Sequence, residues 1–177
     1  DKMKYQIKEN FLDKYEFNRI KNLITDKNFP WFKRERQVPT DKKIDLGYFT
    51  HSFFSKNSIN SDYYNSHIVP ILSKLNAIGP LEIRANLTPS VFFLERTSAF
   101  HCDFKLQYPT KTAILYLNTC DGGTEMRIDN KIKFIDSREN RILIFDSDVE
   151  HRGVVSNNSD FRYIINFNYV ELKWNIK

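Results

Sequence analysis

Cysteine is scarce in this 177-residue chain: there are two, Cys102 and Cys120, too few for a disulfide framework. No apolar run approaches the ~18 residues that a membrane span needs. Nor is there a charged start followed by an apolar block and a small-residue cleavage site. Repeats, low-complexity stretches and interdomain linkers are also missing. These absences lead to the expectation of a soluble, cytoplasmic protein with no membrane partner. They also fit a single domain over residues 1–177, with no signal for oligomeric state. What the chain does have is apolar and aromatic side chains, 41% and 15% of the residues. That supply is ample for a core and excludes a disordered chain.

Charge is unevenly spread. Basic residues number 27 against 22 acidic, a net +5. Residues 1–50 carry 12 basic and 8 acidic side chains, whereas residues 101–177 carry 11 of each. The surplus lies in pieces such as Lys33-Arg34-Glu35-Arg36 and Lys42-Lys43. It suits an acidic partner or nucleic acid, although a solvated face is the commoner meaning of such a surplus.

The first eighty residues read as a helical buttress with an edge strand. Phe11, Leu12, Tyr15, Ile20, Leu23 and Ile24 recur mostly at three- and four-residue steps, predicting an amphipathic helix of about four turns. Tyr64, Ile68, Ile71, Leu75 and Ile78 predict a second helix, kinked or split by Pro70 and stopped at Gly79-Pro80. Between them Tyr48 to Phe53 alternates weakly, like an edge strand. From Leu81 the texture changes to short strands: Leu81–Leu87, Val91–Leu94, Phe100–Phe104, Thr112–Asn118, Glu125–Ile128, Lys131–Ile135, Arg141–Phe145, His151–Val155 and Phe161–Val170. Turn signals at Asp121-Gly122-Gly123, Asp129-Asn130 and Asn157-Asn158 separate them. So many short strands predict a β sandwich or barrel with the helices packed outside.

His101-Cys102-Asp103 is the sharpest local feature. In a strand, residues two apart share a face, so His101 and Asp103 would point the same way and Cys102 opposite. A second histidine, His151, opens another predicted strand. Two histidines and a carboxylate form the facial triad that leaves positions open on non-heme iron. By itself, His-x-Asp is equally a histidine hydrogen-bonded to an aspartate. In the last strand Arg162, Ile164, Asn166 and Asn168 share one face, opposite Tyr163, Ile165, Phe167 and Tyr169. An unpaired arginine on an inward face is costly, so Arg162 is either a surface cation or the partner of a ligand carboxylate. Tyr116, on one face with Thr112, Ile114 and Asn118, offers a hydroxyl to the same carboxylate.

Residues 81–170 resemble the prolyl 4-hydroxylase-like branch of the 2-oxoglutarate- and Fe(II)-dependent dioxygenases. The resemblance runs in order through Ile83-Arg84-Ala85-Asn86-Leu87-Thr88-Pro89, His101-Cys102-Asp103 and Tyr116-Leu117-Asn118. It continues with Gly122-Gly123-Thr124-Glu125-Met126-Arg127-Ile128 and Arg141-Ile142-Leu143-Ile144-Phe145-Asp146, then closes on His151 and Arg162. It implies a mainly β, double-stranded β-helix (jelly-roll) catalytic core over 81–170. It further implies an enzyme using Fe(II), 2-oxoglutarate as cosubstrate and O₂, with ascorbate in support. His101, Asp103 and His151 would be the metal ligands, and Arg162 would bind the distal carboxylate of 2-oxoglutarate, with Tyr116 as donor. The reaction implied is hydroxylation of a protein side chain such as proline, with succinate and CO₂ as coproducts, on a protein or peptide partner.

Two positions depart from the family. Thr88 stands where many members carry a tyrosine before the proline. Asn168 stands where some protein hydroxylases carry a bulky aromatic, implying a wider or more polar pocket. Arg84, Asn86, Asn166 and Asn168 are the candidate substrate contacts, although Arg84 is equally a rim cation. Oxidation of a nucleic acid base or a free small molecule is the alternative chemistry. No second arginine follows Arg162 at the spacing of the nucleic-acid demethylases. A non-catalytic jelly-roll binding module is the other alternative, and it has no need of the triad. Asp103 occupies the position that a halogenase would vacate for halide. His51 and His67 have no partner motif, Arg152 should point away from the site, and the two cysteines read as packing residues.

Overall fold

The computed structural model describes residues 4–34, 47–90 and 97–171. In chain order the elements are β1 (Tyr5–Lys8), α1 (Lys14–Thr25), β2 (Phe32–Arg34), β3 (Tyr48–Ser55), β4 (Ser58–Ile59), a π-helical turn (Tyr64–Ile68) and α2 (Val69–Lys74). These are followed by β5 (Ala77–Pro89), β6 (Lys111–Tyr116), β7 (Cys120–Ile128), β8 (Lys131–Ser137), β9 (Ile142–Asp146), β10 (His151–Val154) and β11 (Phe161–Glu171). Two antiparallel sheets result. The larger runs β1-β9-β6-β11-β5-β3-β2 with β4 on the flank of β3, and the smaller runs β10-β7-β8.

Strand alternation divides the core in two. Along β11 and β6, Ile165, Phe167, Tyr169, Ala113 and Leu115 turn to one face of the large sheet. There they meet Phe17, Ile20 and Ile24 of α1 and Ile71 and Leu72 of α2. Ile114, Tyr116, Leu143, Phe145 and Ile164 turn to the other face and pack on Met126 and Ile135 of the small sheet. The large sheet is therefore covered by helices on one side and by the small sheet on the other, the layering of a jelly roll with a helical buttress. Among the described residues, no helix is long and apolar enough to cross a membrane.

Several local expectations need correction. Helix α1 starts at Lys14 because the Asp13 side chain caps it, accepting from the Glu16 N–H at 2.8 Å. Phe11 and Leu12 lie before the helix, and Leu12 instead bonds through its main chain to the buried Asn140 side chain. Tyr15 is 72% exposed, so it does not belong to the apolar stripe. The second helix is split as Pro70 predicts, with the proline in the first turn of α2. It ends at Leu75 and Asn76, the latter at φ 53°. Ile78, Gly79 and Pro80 lie inside β5, where Pro80 sits beside a register shift opposite Asn168 and Tyr169.

Strand β3 is not an edge; it lies between β5 and β2, with Thr50, His51 and Phe53 all buried. Burial of consecutive residues explains its weak alternation. Asp121-Gly122-Gly123 is not a turn but the bulged start of β7, whereas Asp129 and Asn130 do turn the β7–β8 hairpin with φ of 49° and 59°. No strand forms at Phe100–Phe104; a single antiparallel bridge joins His101 to His151. The expected strand Val91–Leu94 lies outside the described residues.

Candidate metal centre

His101 and His151 exchange both backbone hydrogen bonds, N–H to C=O at 3.0 and 2.9 Å. This pairing brings the imidazoles together with ring centroids 4.5 Å apart. The Nδ1 of His151 lies 3.0 Å from the Val149 carbonyl, and that of His101 lies 3.3 Å from the Ala99 carbonyl. A carbonyl only accepts, so Nδ1 carries the proton in each ring and Nε2 keeps its lone pair. Both Nε2 atoms face Asp103, each 3.6 Å from Oδ1. That gap is too long for a hydrogen bond and suits an ion held ~2 Å from every donor. Among the described residues these three side chains form the metal-ligating cluster, with ligand atoms within 4.8 Å of one another.

Asp103 gets there without a strand. Its backbone N–H donates to the Ser147 carbonyl at 3.1 Å. Its Oδ2 accepts from Thr112 Oγ1 at 2.9 Å and from Asn168 Nδ2 at 2.8 Å. Burial would raise the carboxyl pKa, but His151, the bonds from Asn168 and Thr112, and His101 outweigh it and hold the group below its ordinary range. Burial draws the His151 imidazole down despite the neighbouring Asp103. Both shifts favour the metal-binding forms, an ionised carboxylate and a neutral imidazole.

The cluster opens into a cavity of about 350 Å³ whose lining includes Arg84, Asn86, Thr124, Arg162 and Asn166. Arg162 is 4% exposed. Its Nη2 donates to Thr124 Oγ1 at 3.3 Å, its Nε has no hydrogen-bond partner among the described residues, and its guanidinium carbon lies 5.6 Å from the Tyr116 ring centre. Among the described residues no carboxylate pairs with it, and burial lowers its pKa. A buried cation of this kind calls for an anionic partner. The missing side chain of Gly122 makes room for it: a Cβ there would stand 3.1 Å from Arg162 Cδ and 2.7 Å from the Val154 carbonyl.

No family model matches the sequence, and no curated protein matches it either. Solved structures do. A prolyl hydroxylase from Trichoplax adhaerens, in complex with a peptide of hypoxia inducible factor, superposes with a TM-score of 0.65 at 18% identity, covering 95% of this chain and 84% of that one. A 2OG-Fe(II) oxygenase family protein from Burkholderia pseudomallei gives 0.70 at 8% identity, over 95% and 86%. The epimerase SnoN, bound to Fe3+, alpha ketoglutarate and nogalamycin RO, gives 0.64 at 10%, over 95% and 79%. The chain has the fold of the 2-oxoglutarate- and Fe(II)-dependent oxygenases.

Within this oxygenase fold the residues singled out from sequence sort clearly. The triad, Arg162, Arg84, Asn86, Thr88 and Asn166 all line one cavity. Arg84 donates to Glu82 at 3.1 Å and stands opposite Asn166 across the β5–β11 ladder, while Thr88 stands opposite Arg162. Asn168, a candidate substrate contact, is not among the residues lining the cavity: it is 1% exposed and spends its amide on Asp103, Thr112 and Asn166. Tyr116 is fully buried, and its hydroxyl donates to Thr124 at 2.8 Å. In this arrangement it braces the hydroxyl that meets Arg162. Burial raises its pKa, so it remains a donor. Arg152 pairs with Glu125 at 2.7 Å and lies over Phe100, yet it also borders the cavity, which its strand parity did not predict. The Cys102 thiol donates to the Asp148 carbonyl and is not part of the metal-ligating cluster; burial pushes its pKa up. His51 is occupied by Pro30 and Ser61, and His67 by Ser66. Sequence reading missed Thr112, Thr124 and Ser147. The available signal was a lone hydroxyl at an inward position of an otherwise apolar strand, as at Thr112 before Ile114 and Tyr116.

Proposed function

We propose that the chain is an Fe(II)- and 2-oxoglutarate-dependent dioxygenase that hydroxylates a protein side chain such as proline. The observation that carries this reading is one cavity holding a His-Asp-His cluster together with a buried arginine that has no counter-ion among the described residues. The donor set suits Fe(II): imidazoles and a single carboxylate, with one side open to the cavity. The orphaned Arg162 suits the distal carboxylate of 2-oxoglutarate, because a guanidinium offers parallel donors to a planar anion.

Bound Fe(II), 2-oxoglutarate and O₂ would supply the oxidation, coupling decarboxylation of the cosubstrate to succinate and CO₂ with hydroxylation of a C–H bond. The chain's own residues do the positioning. His101 and His151 present Nε2 lone pairs because backbone carbonyls hold the other nitrogen protonated. Asp103 supplies Oδ1. Arg162, steadied by Thr124 and Tyr116, fixes the far end of the cosubstrate. Ile114 and Ile164 keep part of the wall apolar, which limits water beside the reacting carbon.

A protein or peptide partner is supported by the resemblance to the prolyl 4-hydroxylase-like branch and by the peptide held in the Trichoplax relative in fold. A small-molecule substrate is the second reading, favoured by the polar wall of Arg84, Asn86 and Asn166 and by the ligand named for SnoN. The experiment is succinate release from purified protein with fresh Fe(II), ascorbate and 2-oxoglutarate, followed by mass spectrometry of proline-containing peptides added to the reaction. The reading expects slow succinate formation without a substrate and a gain of one oxygen on a peptide. No succinate, with a known oxygenase active alongside, would overturn it.

A further inference from the structure

Asn168 and Thr112 do more than fill the core beside Asp103. Asn168 donates through Nδ2 to Asp103 Oδ2 at 2.8 Å and to Thr112 Oγ1 at 2.9 Å, and its Oδ1 accepts from Asn166 Nδ2 at 3.0 Å. Thr112 Oγ1 donates to the same Asp103 Oδ2 at 2.9 Å and touches Ser147 Oγ at 3.1 Å. Thr112, Ser147 and Asn168 are each at most 1% exposed, so water does not compete for these bonds. The amide orientation is dictated by chemistry: turning it over would set a carbonyl oxygen against the carboxylate, which has no proton to give.

A carboxylate oxygen has two lone-pair sites. Both sites on Oδ2 are taken, one by the amide of Asn168 and one by the hydroxyl of Thr112, whereas Oδ1 is turned to the two histidines. We infer that Asn168 and Thr112 are positioning residues that restrict Asp103 to binding a divalent metal through Oδ1 alone. This inference rests on the metal-centre reading of the proposed function.

The restriction has a use. With Asp103 held to one oxygen, the triad occupies three adjacent positions of a six-coordinate ion and leaves three for other ligands. A carboxylate free to turn would close a fourth position with its second oxygen. Asn166 extends the arrangement to the cavity, since it lines the wall and donates to the amide that orients Asp103.

The test is an anaerobic Co(II) titration of the parent protein, Thr112→Val, Thr112→Ser and Asn168→Leu, reading affinity and the visible Co(II) spectrum, which reports coordination number. Thr112→Val and Asn168→Leu should each weaken Co(II) binding by ~10–100-fold and change the intensity of the visible bands. Thr112→Ser, which keeps the hydroxyl, should restore the parental spectrum and most of the affinity. A merely structural role would leave the spectrum alone, and Ser would then be no better than Val. The inference is overturned if Thr112→Val binds Co(II) with the parental affinity and spectrum, or if Thr112→Ser is as impaired as Thr112→Val. Should Asn168→Leu fail to fold, the Thr112 pair decides the matter. A parent protein that binds no Co(II) overturns the metal-centre reading itself, a different result from parent-like binding in the variants.

Discussion

The amide nitrogen of Asn168 stands 2.8 Å from Asp103 Oδ2, joining the middle of β11 to a loop residue 65 positions earlier in the chain. After the neighbouring His151, this bond and that from Thr112 help an aspartate remain ionised in a site where burial works against it. The Asn168 bond also explains an asparagine where some protein hydroxylases carry a bulky aromatic. A phenylalanine there would leave Asp103 one donor short.

Arg162→Ala should weaken 2-oxoglutarate binding by about ten- to a hundredfold or more, since charge-assisted bonds are worth ~1.5–3 kcal/mol each. Anaerobic titration of 2-oxoglutarate with Fe(II) present measures this. Metal binding should survive the change, whereas His101→Ala and Asp103→Ala should abolish it. Parental affinity in Arg162→Ala would move the anchor elsewhere, with Arg84 the next candidate.

Tyr116→Phe removes one neutral hydrogen bond, to Thr124. The expected cost to 2-oxoglutarate affinity is about 0.5–1.5 kcal/mol, clearly below that of Arg162→Ala. The same titration compares the two, and an equal loss would mean that the hydroxyl touches the ligand itself.

Acid should destabilise the fold through the buried His51 and His151 and the half-buried His67. Burial holds His51 below its ordinary pKa, and the same direction applies to His67 and His151. A histidine depressed in the folded state is neutral there while the unfolded chain takes up a proton. Its stabilising contribution is therefore complete above about pH 6.5 and is lost as pH falls toward the lowered folded value. Urea midpoints measured between pH 7.5 and 5.5 should fall, and the slope should be shallower in His51→Gln. An unchanged slope in that variant would show that His51 takes no part.

Gly122→Ala should lower stability by about 1–3 kcal/mol. The new methyl would meet the Val154 carbonyl at 2.7 Å, the Ser156 nitrogen at 3.0 Å and Arg162 Cδ at 3.1 Å. Gly79→Ala is the control, because there the methyl meets only the Val170 side chain at 3.7 Å or more. Chemical denaturation of both variants checks the contrast; equal midpoints would mean that β10 yields without cost.

Much of the fold was legible because strand alternation and hairpin turns are local. Asp129-Asn130 turns as expected, and the two faces of β11 divide as their residue types require. The irregular parts were not local. His101 and Asp103 converge through a bridge to His151 and bonds to Thr112 and Asn168, so the assumed strand gave the right face for a wrong reason. Gly79-Pro80 reads as a helix stop, yet pairing with β11 draws both residues into β5. Sequence spacing placed the ligands; it said nothing of which buried amide or hydroxyl holds each one.

His151 begins a strand of the small sheet, and His101 is bridged to it, whereas the Asp103 carboxylate is fastened to β6 and β11 of the large sheet. An ion bound by all three would act as a clasp between the two layers. The width of the cavity mouth would then depend on three coordinate bonds as well as on the packing of Met126 and Ile135 against the large sheet. Metal affinity would accordingly report on the docking of one sheet against the other, and a substitution far from the cluster that loosens this docking would be read first as a loss of metal.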